Sequence, residues 1–401
     1  MSIAWTRLVP GGFKNSPVNA LAIKHYNNVF DLLLRNGITP MVTLYHFDMP
    51  AVLETKYKGF LNTDRFTEDY VYFAEQAFSA FGDRIKYWIT FNEPITTCTA
   101  GYGIGEHAPG YNINPLKGDW SFTPLDLVRC GHTHLVAHAH AVNLYRTKFK
   151  SQNGKISMAN NLSWGEPMSN DPEDVNATQN FLDANYGWFE DVLNFGDYPQ
   201  SLKNFISVLL PKFSEEQKKL LKGSTDFIAV NHYTANYIGK WGYKGQGFED
   251  GNPFMRFSRG FFDKNGNRLG NRGAPKWLFN APWAFEKSLD YITKQYGNRD
   301  IYVTENGFSV FEEPWMSVEL ALKDTARVDY HHHYLAAMQR SISKGSKVKG
   351  YMAWTLIDNF EWAAGYTQPF GCTKFDRKTG KRWLKDSAYY LRDYFGLAIT
   401  K

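Results

Sequence analysis

Seven short apolar runs punctuate this chain, and longer amphipathic segments separate them from one end to the other. The runs are Ser2–Leu8, Pro40–His46, Tyr87–Glu93, Lys155–Asn161, Phe227–Tyr233, Asp300–Glu305 and Val348–Asp358. Most are continuous in Val, Ile, Met, Ala and aromatic residues, the pattern of strands buried on both faces. The segments Val18–Arg35, Asp64–Phe81, Leu125–Phe149, Trp283–Gln295 and Val318–Ser343 read as helices. Asn36-Gly37, Gly82-Asp83 and Gly297-Asn298 read as helix stops that tolerate positive φ. Strand–helix units repeated in this way call for a parallel sheet, either doubly wound or closed into a barrel.

The ends of the runs decide between the two. Polar and aromatic residues collect there: Tyr45-His46, Asn92-Glu93, Asn160-Asn161, Asn231-His232-Tyr233, Glu305-Asn306 and Trp354–Asp358. In a barrel all strand ends ring one mouth, where catalytic groups sit, whereas a doubly wound sheet concentrates function at one switch point. The expected fold is therefore α/β, a (β/α)8 TIM barrel with seven strands readable. No linker divides the 401 residues, so one barrel domain over 1–401 is expected. The Gly-rich stretch Trp241–Gly273 reads as a long excursion loop.

Composition excludes several function classes. The net charge of +5 comes without a Lys/Arg run, and nucleic-acid binding needs a concentrated basic face. No stretch reaches the roughly 18 apolar residues that span a bilayer, and Met1-Ser2-Ile3-Ala4-Trp5 has no signal-peptide pattern. No nucleic-acid or membrane partner is expected, and the expected location is cytoplasmic. Cys98, Cys130 and Cys372 are odd in number and widely spaced, and read as neither a disulfide framework nor a zinc site. His134 and His138 have the helical spacing of a metal pair, but no third ligand is evident and a partly exposed helix face is expected. His331-His332-His333 lies within a helix and points three ways. Gly101-Tyr102-Gly103-Ile104-Gly105 does not open a helix after a strand, so it reads as a loop and not a phosphate cradle. No metal and no cofactor are expected. The 16% aromatic content fits a large core, and part of it fits rings that stack on sugars.

Glu93 and Glu305 carry the strongest chemical signal. Each follows a buried apolar run directly, where an acid is costly unless something uses it. Cleaving a glycosidic bond with retention needs two such carboxyl groups about 5–5.5 Å apart, one attacking the anomeric carbon and one protonating the leaving oxygen. A helix cap or a rim salt bridge is the competing use of either acid taken alone.

The motifs around them are more specific. Thr90-Phe91-Asn92-Glu93-Pro94 and Thr304-Glu305-Asn306-Gly307 resemble the acid/base and nucleophile motifs of glycoside hydrolase family 1. Thr43-Leu44-Tyr45-His46, Val230-Asn231-His232-Tyr233 and Ala353–Trp362 follow in the family's order, and the similarity runs from Ser2 to the C-terminus. With Trp277-Leu278 and Ala281-Pro282-Trp283, the chain looks most like eukaryotic β-glucosidases. The resemblance implies a retaining hydrolase of β-linked glucosides or short oligosaccharides, with galactosides or fucosides as further substrates. It makes Glu93 the acid/base, Glu305 the nucleophile and Tyr233 a donor to Glu305. It assigns His46, Asn92 and Glu361 to sugar hydroxyls, and Trp354 to the floor under the ring. Trp362 stands beside Glu361, Trp277 serves the leaving group, and Asn231 and Phe370 fall at pocket positions. Glu93 where thioglucosidases of the family carry Gln, and Glu361 where phospho-glycosidases lack an acid, imply an O-glycoside of an unphosphorylated sugar.

The chain departs from the family's pattern ahead of Ser2. Family members carry roughly one more strand–helix unit there, with a Gln for the glycone and an Arg beside the nucleophile. Missing that strand, the barrel would expose two edges, and exposed edges invite pairing, so self-association is an expectation. Three explanations stay open: a piece of a normal enzyme, a short form that closes its barrel differently, and a weakly active or non-catalytic glycan-binding relative.

Overall fold

The computed structural model describes residues 1–111, 124–312 and 316–399. Its strands, in chain order, are β1 (Met41–Tyr45), β2 (Tyr87–Asn92), β3 (Lys155–Asn161), β4 (Trp164–Pro167), β5 (Ile228–Asn231), β6 (Ala235–Lys240), β7 (Phe248–Asn252), β8 (Phe257–Gly260), β9 (Ile301–Asn306) and β10 (Val348–Ala353), with a small hairpin, Thr373–Phe375 and Arg382–Leu384, after them. Six of the seven apolar runs become the parallel strands β1, β2, β3, β5, β9 and β10. The described residues form two compact units, Met1–Asn161 with Asp183–Ala229, and Leu162–Leu182 with Val230–Lys401.

In the first unit β1, β2 and β3 pair in parallel, with Tyr45 opposite Phe91 and Tyr87 opposite Lys155. Trp88 through Asn92 are buried on both faces of the sheet, which is why this run shows no alternation. The helices Ala20–Arg35, Thr63–Phe81 and Pro124–Lys148 belong to the same unit. Only the start of the Ser2–Leu8 run is extended. Ser2 bridges Thr43, and the Ile3 amide donates to the Thr43 carbonyl at 3.0 Å. The next two amides are taken by side chains, Ala4 by the Tyr26 hydroxyl at 2.8 Å and Trp5 by Asp48 Oδ2 at 3.2 Å. The chain therefore leaves the ladder and turns into a short helix, Trp5–Leu8. The Trp5 ring is fully buried and stacks on Phe73 at 4.9 Å, a burial that contributes about 2–3 kcal/mol.

In the second unit β9 and β10 pair in parallel, with Val348 opposite Ile301. A four-stranded sheet in the order β4-β6-β8-β7 lies in the same unit, and its core joins Ala235 to Phe279, Ala281 and Ala284. The expected loop Trp241–Gly273 thus contains two strands, because Phe257–Gly260 pairs antiparallel with β6 and supplies its ladder partners. The expected helix Val318–Ser343 is broken into Val318–Leu322 and Thr325–Ser343. Asp324 sits at the break, buried, and accepts from Arg327 and from the Ser387 amide and hydroxyl at 2.9 and 2.6 Å. Those bonds outbid helix continuation. Gly82 also departs from expectation: its φ is −71°, right-handed, and a Cβ there would meet only the end of the Gln152 side chain. No helix among the described residues is long and apolar enough to cross a membrane.

Candidate active site

The candidate residues fall into two groups, one in each unit. His46, Asn92 and Glu93 belong to the first; Asn231, Tyr233, Trp277, Glu305, Trp354, Glu361, Trp362 and Phe370 belong to the second.

Glu93 follows β2 at the turn into the short helix Pro94–Thr96. Proline after it disfavours the right-handed helical region, and Glu93 adopts φ 42°, ψ 65° instead, a left-handed conformation that costs a residue with a Cβ about 1–2 kcal/mol. Its amide donates to the Ala159 carbonyl at 2.8 Å, and its carboxyl oxygen Oε2 accepts from the Thr96 hydroxyl at 2.7 Å. The residue is 7% exposed. The β2–β3 register shifts between Ile89 and Asn92, which re-aims the strand end that carries buried Asn92 and Glu93. His46, past the end of β1, donates its amide to Asp48 Oδ1 at 3.1 Å. Asp48 accepts from both His46 and Trp5, and burial pushes its carboxyl above the usual range.

Glu305 lies near the C-terminal end of β9 and is 8% exposed. The Tyr233 hydroxyl donates to its Oε2 at 2.6 Å, as the family resemblance implies. The Tyr233 ring stands edge-on to Trp277 at 5.9 Å and to buried Phe370 at 6.2 Å, so these three aromatics come together beside the nucleophile candidate. Buried Asn231 accepts from the Thr304 hydroxyl at 2.6 Å through its side-chain oxygen, which fixes the amide. Trp354 follows β10 across a cis peptide to Thr355, and its amide donates to the Asn306 carbonyl at 2.9 Å. Its indole Nε1 donates to Glu361 Oε2 at 3.4 Å. Trp362 has φ 44°, a strained value for a bulky side chain. Phe47 beside His46, Glu93 itself and Trp362 beside Glu361 are thus all held at positive φ, and such strain gathers where function demands a fixed geometry.

Several contributors carry no motif signal. Thr96 donates to Glu93, and Tyr330, Tyr334 and Tyr351 bond the Tyr233 carbonyl and the Asn306 side chain beside Glu305. Tyr330 and Tyr334 are four residues apart on one helix face, a spacing that marks a buried stripe and nothing more specific.

The cysteine and histidine expectations need correction. Cys98 and Cys130 form a disulfide, which joins the segment just after Glu93 to the helix Pro124–Lys148. Their wide spacing hid it, since contact across the fold is invisible in a list of separations. His132, His134 and His138 are buried and not on an exposed face, and burial holds them neutral, lowered to about 4, about 3 and about 3. His132 pairs with the Tyr198 hydroxyl at 2.9 Å, and His138 with Thr90 and Ser224. Ligand atoms of Cys98, Cys130 and His134 lie within 4.8 Å of one another, so two cysteines do stand beside His134, though not beside His138. Both sulfurs are spent in the disulfide, and His134 Nδ1 donates to the Cys130 carbonyl at 2.9 Å. The Gly101–Gly105 stretch begins as helical backbone, the end of Thr97–Gly101.

Comparison with known proteins places these motifs in context. Residues 1–396 match glycosyl hydrolase family 1. Beta-glucosidase 1B of Phanerodontia chrysosporium is 41% identical over 405 residues, covering 100% of this chain and 73% of that protein. A family 1 β-glucosidase from the fungus Humicola insolens, solved in complex with glucose, superposes with a TM-score of 0.92 at 38% identity, covering 98% of this chain and 83% of that one. A rice β-glucosidase mutant in a covalent complex with Glc superposes at 0.91 and 38%, covering 97% and 82%. At this similarity the fold class is the (β/α)8 barrel that the strand ends implied.

Proposed function

The chain belongs to glycosyl hydrolase family 1 and is a glycosyl hydrolase, and from that premise we propose that it is a β-glucosidase that works with retention of configuration. Its substrates are β-linked glucosides and short oligosaccharides, with β-galactosides and β-fucosides as slower alternatives.

The observation that carries the reading is Glu305. A carboxyl group at a strand end, nearly buried and already accepting from the Tyr233 hydroxyl at 2.6 Å, is aimed and short of water. In the first step the Glu305 carboxylate attacks the anomeric carbon, the bond to the leaving oxygen breaks, and Glu93 delivers a proton to that oxygen. In the second step the Glu93 carboxylate takes a proton from water, the water oxygen attacks the same carbon, and the ester to Glu305 breaks. Two inversions return the original configuration. The covalent Glc complex of the rice relative favours this route over direct displacement. Glu93 suits its double role, because Thr96 fixes one carboxyl oxygen while the left-handed backbone fixes the side chain's origin.

The test is hydrolysis of a chromogenic aryl β-glucoside. Glu305→Gln is expected to abolish turnover, and Glu93→Ala to lose it and regain it with azide, an anion that attacks the anomeric carbon of the glycosyl-enzyme itself and needs no base, leaving a glycosyl azide. Sugar binding without turnover in the unaltered protein would instead support a non-catalytic glycan-binding role.

A further inference from the structure

Behind Glu305 lies a chain of hydrogen bonds that never touches the carboxylate. His331 Nδ1 donates to the Tyr351 hydroxyl at 2.8 Å, and Tyr351 donates to Asn306 Oδ1 at 2.6 Å. The Asn306 amide nitrogen donates to the His232 carbonyl at 2.6 Å and to the Tyr330 hydroxyl at 2.9 Å. Tyr330 then donates to the Tyr233 carbonyl at 2.9 Å. Tyr334 donates to that same carbonyl at 3.0 Å and accepts from the Ala281 amide at 3.2 Å. Every donor in the series points the same way. Both acceptor positions of one peptide oxygen are filled by phenols.

That oxygen matters because of its place in the chain. Residue 233 lies past the end of β5, where the strand ladder no longer holds the backbone. The two tyrosines of the helix Thr325–Ser343 supply the bonds that a neighbouring strand would otherwise make. They are rigid for a physical reason: both are fully buried, and their rings stack at 3.9 Å and 19°. Burial raises both phenols well above their ordinary range and holds His331 neutral, lowered to about 3, so the series keeps its protons across any working pH. The Tyr233 hydroxyl, at the far end of that residue, is the donor to Glu305 Oε2.

We propose that Tyr330 and Tyr334 are positioning residues for Glu305, acting through the carbonyl of Tyr233 to aim its hydroxyl. The inference rests on Glu305 being the nucleophile. Asn306 couples the two sides of the arrangement, since it follows Glu305 in β9 and receives and donates within the same series.

Tyr330→Phe and Tyr334→Phe each delete one donor and keep the ring packing. For each, kcat on an aryl β-glucoside is expected to fall by about 5–10-fold with KM within about twofold, since the lost bond orients the nucleophile and does not grip the sugar. The rate of covalent labelling by a 2-fluoro glucoside, which forms the glycosyl-enzyme faster than it loses it, should fall by the same factor at a temperature well below melting. A merely structural role lowers the melting temperature and leaves both rates on the folded fraction unchanged. Should either variant fail to fold, Tyr351→Phe removes the donor to Asn306 and is expected to slow labelling by about 2–4-fold. Tyr233→Phe is the control. If it slows labelling while the positioning variants do not, this inference is wrong and the nucleophile assignment stands. If Tyr233→Phe and Glu305→Gln both label and turn over like the unaltered protein, the nucleophile assignment fails and takes this inference with it.

Discussion

Lowering the pH is expected to destabilise this protein chiefly through its buried histidines. His134, His138, His232 and His331 are fully buried, and desolvation lowers each from 6.5 to about 3. In the unfolded chain each titrates near its ordinary value. The unfolded state therefore binds more protons than the native state below pH 6.5, and stability present above that pH is lost as pH falls toward 3. From about pH 7 to about pH 5.5 the loss is about 1.3 kcal/mol per histidine, or about 5 kcal/mol for the four. That is a large part of a typical net stability of about 5–15 kcal/mol. Buried His132, lowered to about 4, adds to this loss, while Asp48, whose carboxyl burial raises, opposes it; the carboxylates held below their usual range, Asp263, Glu319 and Asp376, act with the histidines' sign but only at lower pH. Denaturant unfolding at successive pH values measures the slope. His138→Gln, which keeps hydrogen-bonding capacity toward Thr90 and Ser224, should flatten it by about one proton, roughly 1.3 kcal/mol over the interval. A stability that changes by less than about 1 kcal/mol between those pH values would refute the desolvation argument.

Replacing Cys98 and Cys130 together by Ser opens a loop whose ends are 32 residues apart and should cost about 4 kcal/mol, read as a lowered denaturation midpoint that a thiol reductant reproduces in the unaltered protein. Gly307→Ala would place a Cβ 1.9 Å from the Trp354 carbonyl oxygen, directly beyond Asn306, so the variant should lose about 3 kcal/mol or more and most of its turnover. Thr96→Val removes the donor to Glu93 Oε2; it should slow glucosides with poor leaving groups by about 10-fold and barely affect activated aryl glucosides, which depart without much protonation.

The sequence carried the scaffold clearly where periodicity and burial agree. Runs such as Tyr87–Glu93 and Asp300–Glu305 are apolar because both faces of β2 and β9 are covered, and the acids at their ends stand out for that reason. Short motifs then singled out Glu93, Glu305 and Tyr233, and the Tyr233–Glu305 bond is present. What stayed illegible depends on contacts far apart in the chain. Cys98 and Cys130 look unrelated until Pro124–Lys148 packs beside the segment after Glu93. Trp5 reads as a strand residue because nothing local reveals that Asp48, 43 residues on, takes its amide. Tyr330 and Tyr334 show only a helical stripe, since the carbonyl they hold is about a hundred residues away in sequence.

The anomer first released from an aryl β-glucoside, followed by proton NMR before mutarotation, tests the double-displacement assignment of Glu93 and Glu305 most directly. Two successive inversions at one carbon release β-glucose first, with the α anomer growing in only as the sugar equilibrates. Release of α-glucose first would contradict a covalent intermediate on Glu305 and the nucleophile role built on it.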